Sequence, residues 1–236
     1  MLGVSTYCLH GEPLDVALEH LSGVTSRVEV MDEGYHYLED TSVLENYSLD
    51  YTIHAPYHGI NIASLFETIR RASIEVTLDC FSVAAEIGAN IVVHPGYFAW
   101  EHERGSARRQ FNKSLQELTL AAEDHSLVFY LENMGDMDYF FLRTPGELDL
   151  LGEAGFALDV GHANLNHCLP AFLETTIDHM HIHDNKGKKD SHSAIGDGDI
   201  EFGAVMEALQ YNHATPILEV ATFEGVLRSI AALELL

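Results

Sequence analysis

The chain has 236 residues, 47% of them hydrophobic, and a formal net charge of -25. That apolar content supports a sizeable core and excludes a disordered chain, and no apolar run reaches the ~18–20 residues that cross a bilayer. The acidity disfavours sequence-independent binding to nucleic acid, although bound dications would offset part of it locally.

Taken from the N-terminus, MLGVSTYCLHGEP has no basic leader, and Gly3, Ser5 and His10 interrupt it, so it does not read as a signal peptide. Cys8, Cys80 and Cys168 are widely spaced without a CxxC pair. They read as free thiols of a cytoplasmic protein, and one domain spanning 1–236 is expected. Strands are expected at 2–7, 27–31, 51–55, 90–95, 127–133, 155–160, 177–183 and 215–220, where β-branched and aromatic residues concentrate. Helical periodicity fills the intervals, most clearly in 64–87 and 104–125, with a further helix at 201–210. Within TPGE, Thr144 is placed to cap a helix, Pro145 to open it and Glu147 to close a capping box. Gly196 and Gly198 of GDGD read as a turn with positive φ. Eight strands alternating with helices predict a parallel sheet closed into a (β/α)8 TIM barrel. An open doubly wound sheet is the alternative, without a GxGxxG to favour it.

In such a barrel the reactive groups sit at the C-terminal ends of the strands. Six consecutive predicted strands end in a residue able to hold a metal: His54, His94, Glu132, Asp159, His181 and Glu219. Alternate residues of a strand share a face, so Glu219 goes with Ile217, His94 with Val92 and Asp159 with Ala157, leaving their neighbours for the helices. Carboxylates crowded at one mouth repel one another unless cations intervene. Mixed nitrogen and oxygen donors suit zinc, manganese or iron.

The motifs IHAPY, VVHPG, LEN, LDVGHAN, HIHD, DSHSAIGDGDI and ILEV stand in the order found in endonuclease IV, a branch of the xylose isomerase-like TIM barrels (AP endonuclease family 2). The resemblance covers about residues 50 to 220. It implies three zinc ions: His54 and His94 at the first, Glu132 bridging to the second, Asp159, His181 and Glu219 completing the second, and His162, Asp190 and His192 at the third. It also implies that Tyr57 meets the substrate backbone. The implied reaction is hydrolysis of a phosphodiester, at abasic sites in DNA or in a related phosphoester, by metal-bound hydroxide. The related sugar and sugar phosphate isomerases and epimerases hold one metal, with manganese possible, on the counterparts of Glu132, Asp159, His181 and Glu219, and act on a small sugar. A barrel that only stores or senses metal is the non-enzymatic alternative.

Some features bear on the DNA part of that likeness. The stretch between Asp184 and Asp190 is short, and DEGYHY after the second strand lacks an arginine to fill the gap left by a flipped nucleotide. Seven of the twelve Lys and Arg lie in two segments: Arg104, Arg108, Arg109 and Lys113, then Lys186, Lys188 and Lys189. They read either as a phosphate-attracting patch or as ordinary solvated charge. His179 and His183 are expected to support ligands rather than be ligands, and Glu29 to join a structural ion pair. His10, His20, His36, His58, His102, His125, His167 and His213 are expected in loops or at the surface. Tyr97, Phe98 and Trp100 would either wall the pocket or cover a loop.

Overall fold

The computed structural model describes residues 2–235. Eight strands run in chain order: β1 (Gly3–Ser5), β2 (Arg27–Met31), β3 (Asp50–His54), β4 (Asn90–Val93), β5 (Phe129–Glu132), β6 (Gly155–Asp159), β7 (His179–Ile182) and β8 (Thr215–Leu218). Each pairs in parallel with the next, and β8 pairs with β1, closing the barrel. All eight predicted strands are present, but several are shorter than expected. The first ends at Ser5, because a 3-10 turn over Thr6–Leu9 takes up the rest.

The helices are α1 (Leu14–Ser22), α2 (Glu67–Ile87), α3 (Arg104–His125), α4 (Val160–Leu165), α5 (Leu169–Leu173), α6 (Phe202–Asn212) and α7 (Phe223–Leu233). None is long and apolar enough among the described residues to cross a membrane. The expectation of a helix in every interval fails twice. Between β2 and β3, and between β5 and β6, the described residues form only short 3-10 turns. The TPGE segment is one of these: Pro145–Leu150 is 3-10, and Thr144 makes no side-chain cap bond. Glu147 is drawn elsewhere, accepting from the Arg143 N–H (2.9 Å) and pairing with Arg104. An ion pair across elements outcompetes a local capping box here.

Two layers of packing are distinct. The main apolar cluster lies between sheet and helices and takes Val28, Val30, Ile53, Ile91, Val93, Leu131, Leu158, Met180, Ile182 and Leu218 from the strands. Inside the barrel, Val92, Tyr130 and Ala157 form a separate small cluster. These interior residues stand two positions before His94, Glu132 and Asp159, so strand alternation carries the three polar side chains to the mouth on the same face. Ile217 also faces inward, on the strand face of Glu219, and polar contacts fill part of the interior: Asn90 donates to the Tyr130 hydroxyl (2.8 Å), and Tyr130 stacks on His179 at 5.3 Å between ring centroids.

The GDGD turn is organised by Asp184. Its carboxylate accepts from the N–H groups of Asn185, Gly196, Gly198 and Ile200. Gly196 has φ +92°, as a turn of this kind requires. Gly198 has no positive φ; its constraint is space, since a Cβ there would fall onto the Asp184 carboxylate and the Asn185 carbonyl. Replacing Gly198 by alanine should cost about 1–3 kcal/mol through forced displacement, more than the same change at exposed Gly11, where a Cβ meets nothing within 4 Å. Urea denaturation of the two variants checks the order.

Candidate metal centre

The strands deliver their polar ends to one rim. His54, Glu132 and Asp159 close β3, β5 and β6, His94 and Glu219 lie one residue past β4 and β8, and His181 sits within β7. The last two ligand candidates of the first half-turn after β6 are positioned by a helix cap. Asp159 is the N-cap of α4 and accepts from the His162 N–H at 2.6 Å, which fixes the spacing in DVGH. Asp190 and His192 come from the loop after β7, where His192 holds φ +41° and donates from Nδ1 to the Glu219 carbonyl (2.8 Å).

The nine predicted residues meet in three groups of potential ligand atoms: His54 with His94 and Glu132; Glu132 with Asp159, His181 and Glu219; and His162 with Asp190 and His192. Glu132 belongs to the first two. Its Oε2 lies 3.2 Å from His54 Nε2 and 3.1 Å from His94 Nε2, and its Oε1 lies 3.3 Å from His162 Nδ1 and 3.5 Å from His181 Nδ1. In the third group Asp190 Oδ2 is 3.0 Å from His162 Nε2 and 3.2 Å from His192 Nε2.

The hydrogen bonds behind these rings decide which nitrogens are available. A backbone carbonyl only accepts, so each imidazole nitrogen facing one carries the proton. His54 Nδ1 faces the Ala55 carbonyl (2.9 Å), His162 Nδ1 the Asn133 carbonyl (2.9 Å) and His192 Nδ1 that of Glu219. In the neutral ring, Nε2 of all three is then a lone pair aimed into the cluster. At His181, Nε2 lies 2.7 Å from Glu29 Oε1 and Nδ1 faces Glu132 and Glu219, both nitrogens being buried without a hydrogen bond. These donors, oriented by partners on their far side, fit metal ions of the zinc or manganese kind.

Without metal, the carboxylates and imidazoles settle by sharing protons. Burial pushes the Glu132 carboxyl up, but His181 and His94 outweigh it and hold it well below the usual carboxylate range. Asp190 is likewise lowered: burial opposes, and hydrogen bonds from His162 and His192 prevail. Burial lowers His54 and His192, yet Glu132 and Asp190 respectively raise both to about 9. His94 moves the other way, because burial and the neighbouring His54 outweigh Glu132. Glu219 is raised by burial and by Glu132 and Asp159.

The supporting residues fall into two sets. Beneath the mouth, Glu29 is fully buried between His179 Nε2 (2.9 Å) and His181, and accepts from Thr52 Oγ1 (3.0 Å). This is the ion pair expected for Glu29, with a ligand candidate as one partner. His183 Nε2 lies 3.1 Å from both oxygens of Asp159, and its ring stacks on His192 at 3.9 Å. A Cβ at Gly161 would fall on that ring, so the glycine of DVGH makes room for the second histidine of HIHD.

A cavity of about 750 Å³ opens above the cluster. Seven of the nine residues line it, and the remaining two, Asp159 and His181, lie deeper. Tyr57 stands at its side, 4.7 Å from the His94 ring and 5.4 Å from that of His54. Residues that sequence reasoning missed also reach it. Tyr7 lies over His192 (4.9 Å). His58, exposed in its loop as expected, also reaches the rim, with Nδ1 against Glu33, whose carboxylate accepts the Tyr57 and His58 N–H groups. Asn133, part of LEN, donates to the Asp159 carbonyl (3.0 Å) and accepts its N–H (2.7 Å). His36 is no surface group: it is buried against Thr6 and the Glu12 carbonyl. Tyr97 and Phe98 wall the cavity, whereas Trp100 does not and is exposed. No Lys or Arg among the described residues lines it. Arg104 and Arg108 pair with Glu147 and Asp149, and Lys186, Lys188 and Lys189 are exposed in their loop.

The family model of the xylose isomerase-like TIM barrel matches residues 35–235. The chain belongs to that family. It is 34% identical over 229 residues to an uncharacterized protein of Methanocaldococcus jannaschii, covering 93% of this chain and 91% of that protein. A probable endonuclease 4 of Mycobacterium leprae is 32% identical over 200 residues, 77% of each chain. Among solved structures, a D-tagatose 3-epimerase-like protein superposes with TM-score 0.90 at 28% identity, covering 99% of this chain and 95% of that one. The relatives thus carry the names of two chemistries, endonuclease and epimerase.

Metal binding to this centre competes with protons. His54 and His192 of the metal-free protein hold theirs up to about pH 9, and a ligating imidazole must be neutral. Zinc affinity should therefore rise as pH increases from 6.5 toward 9, as measured by competition with a chelator.

Proposed function

We propose that the protein is a metal-dependent phosphoesterase whose three ligand groups hold three dications, with zinc favoured. The observation that carries this reading is the third group, His162, Asp190 and His192, gathered on one carboxylate oxygen beside Glu132. The sign of the charge gives it physical weight. Glu132, Asp136, Asp159, Asp190 and Glu219 bring carboxylates to a mouth lined by no Lys or Arg. Each dication held there offsets two of those charges and makes the mouth less hostile to a phosphate.

When bound, such ions supply Lewis-acid polarisation of a phosphoryl oxygen and of water. Glu132 spans the first two groups and would orient the attacking water between them. The Tyr57 hydroxyl is pushed above its ordinary pKa by burial and by Glu219 and Glu33. It stays protonated and can donate a hydrogen bond to a phosphate oxygen. Glu29 and His183 would hold His181 and Asp159 in their ligating orientation. Abasic DNA is the substrate that the endonuclease likeness suggests, and a smaller phosphodiester would use the same centre.

A second reading has its own observation. Glu132, Asp159, His181 and Glu219 are all buried and form the deepest group, sufficient for one metal, and a neutral sugar would be indifferent to a negative mouth. That reading makes the protein a sugar isomerase or epimerase using one dication, manganese among the candidates.

Metal analysis of the zinc-reconstituted protein should find close to three ions per chain. Replacing His192 by alanine should remove about one ion and lower cleavage of bis(p-nitrophenyl) phosphate by roughly two orders of magnitude. One ion per chain, unaffected by that change and accompanied by ketose epimerisation, would establish the second reading instead.

A further inference from the structure

The wall of the cavity on the β4 and β5 side has no part in holding metal, and its chemistry is unlike that of the mouth. Tyr97, Met134, Met137, Tyr139 and Phe140 face the cavity there, with Asp136 the charged member of that stretch and Leu165 of α4 beside them. Three of these large side chains are well exposed: Tyr97 by 39%, Met137 by 52% and Tyr139 by 40%. Their rings form one connected group, with Tyr139 4.9 Å from Phe140 and Tyr97 6.0 Å from Tyr139. Scattered exposed apolar residues need no explanation, but a contiguous set at the rim of a cleft marks a binding surface.

The wall is held in place rather than loosely draped. Tyr97 and Phe140 form an antiparallel bridge, and the Phe98 N–H donates to the Tyr139 carbonyl (2.9 Å). The Asn61 side chain clamps Tyr97 from both sides, accepting its N–H (3.1 Å) and donating to its carbonyl (3.0 Å). Gly96, at φ +81°, permits the close approach of Asn61 that this clamp needs. A preformed apolar face of this kind loses little entropy when a flat group settles on it.

A polynucleotide needs cations along the path of its phosphates, and none lines this cavity. A free ketose needs a hydrogen-bond partner for each hydroxyl, which Met134, Met137, Phe140 and Leu165 do not offer. We propose that the substrate is a small phosphodiester monoanion carrying an aromatic ring, with the ring seated on the Tyr97–Met137–Tyr139–Phe140 wall and the phosphate at the metal-binding mouth. This proposal rests on the phosphoesterase reading and narrows its substrate class.

Calorimetry on the zinc-loaded protein tests it with two anions of equal charge, phenyl methylphosphonate and methyl methylphosphonate. The phenyl ester should bind about tenfold or more tightly than the methyl ester, as burial of a ring on an aromatic face implies. The double variant Met137→Ala/Tyr139→Ala, changed at exposed positions, should reduce that preference to about twofold and leave methyl ester affinity as it was. Tyr139→Phe should retain it. Equal affinity for the two esters, a preference that survives the double truncation, or tighter binding of an abasic duplex than of the phenyl ester would overturn the proposal while leaving the phosphoesterase reading intact. Failure of both esters to bind a fully zinc-loaded protein would overturn both.

Discussion

The Glu132 carboxylate is the constraint around which this barrel is arranged. It is buried at the C-terminal end of β5, and four imidazoles, from His54, His94, His162 and His181, approach its two oxygens within 3.5 Å. An ionised carboxylate taken out of water is costly unless it is paired and hydrogen-bonded. Here the pairing comes from four different strands or loops, so each must end where Glu132 is. A shift of one residue in any of those strands would turn its ligand candidate toward the helices. The closed, parallel ladder with its fixed register is what prevents the slip.

The same coupling runs outward from the rim. Asp159 caps α4, is met by His183 and is clamped at its backbone by Asn133. His183 in turn needs the space left by Gly161 and lends a face to His192. Glu29 carries the network one layer down, joining His181 to His179 and through the stacked Tyr130 to Asn90. Buried polar networks of this kind rigidify when their members are satisfied. The network is left open at Glu29 Oε1, at both ring nitrogens of His179 and His181 and at His183 Nδ1, and His181 Nδ1 points into the group that also holds Glu132, Asp159 and Glu219.

Much of this was legible in the sequence because two periodicities carry it. Period-two alternation places Val92 under His94 and Ala157 under Asp159, and the small interior cluster of Val92, Tyr130 and Ala157 is what that alternation requires. The 3.6-residue period marks α3 over Arg104–His125 without error. What was not legible depended on partners distant in the chain. Glu147 looks like half of a capping box until Arg104, 43 residues earlier, takes its carboxylate. His36 and His58 look alike as loop histidines, yet one is buried on Thr6 and the other is fixed at the cavity rim by Glu33. Gly198 reads as a turn glycine, and only the fold reveals that Asp184 occupies the space of its missing side chain.

The placement of positive charge separates what the chain could bind from what its motifs suggest. Seven of twelve Lys and Arg lie in two sequence clusters, but Arg104 and Arg108 are taken up by Glu147 and Asp149, and none of the seven lines the cavity. A long polyanion approaching this mouth meets an acidic body whose cavity no Lys or Arg lines, with Lys186, Lys188 and Lys189 exposed in the loop before Asp190, and each unneutralised phosphate adds repulsion that is screened only beyond about 8–10 Å. A monoanion small enough to lie inside about 750 Å³ meets chiefly the field of the centre itself, which each dication held there makes less negative. On the proposed phosphoesterase reading, the donor set and the cavity wall constrain different halves of one substrate: charge at the rim, and an apolar, planar remainder on the β4–β5 side.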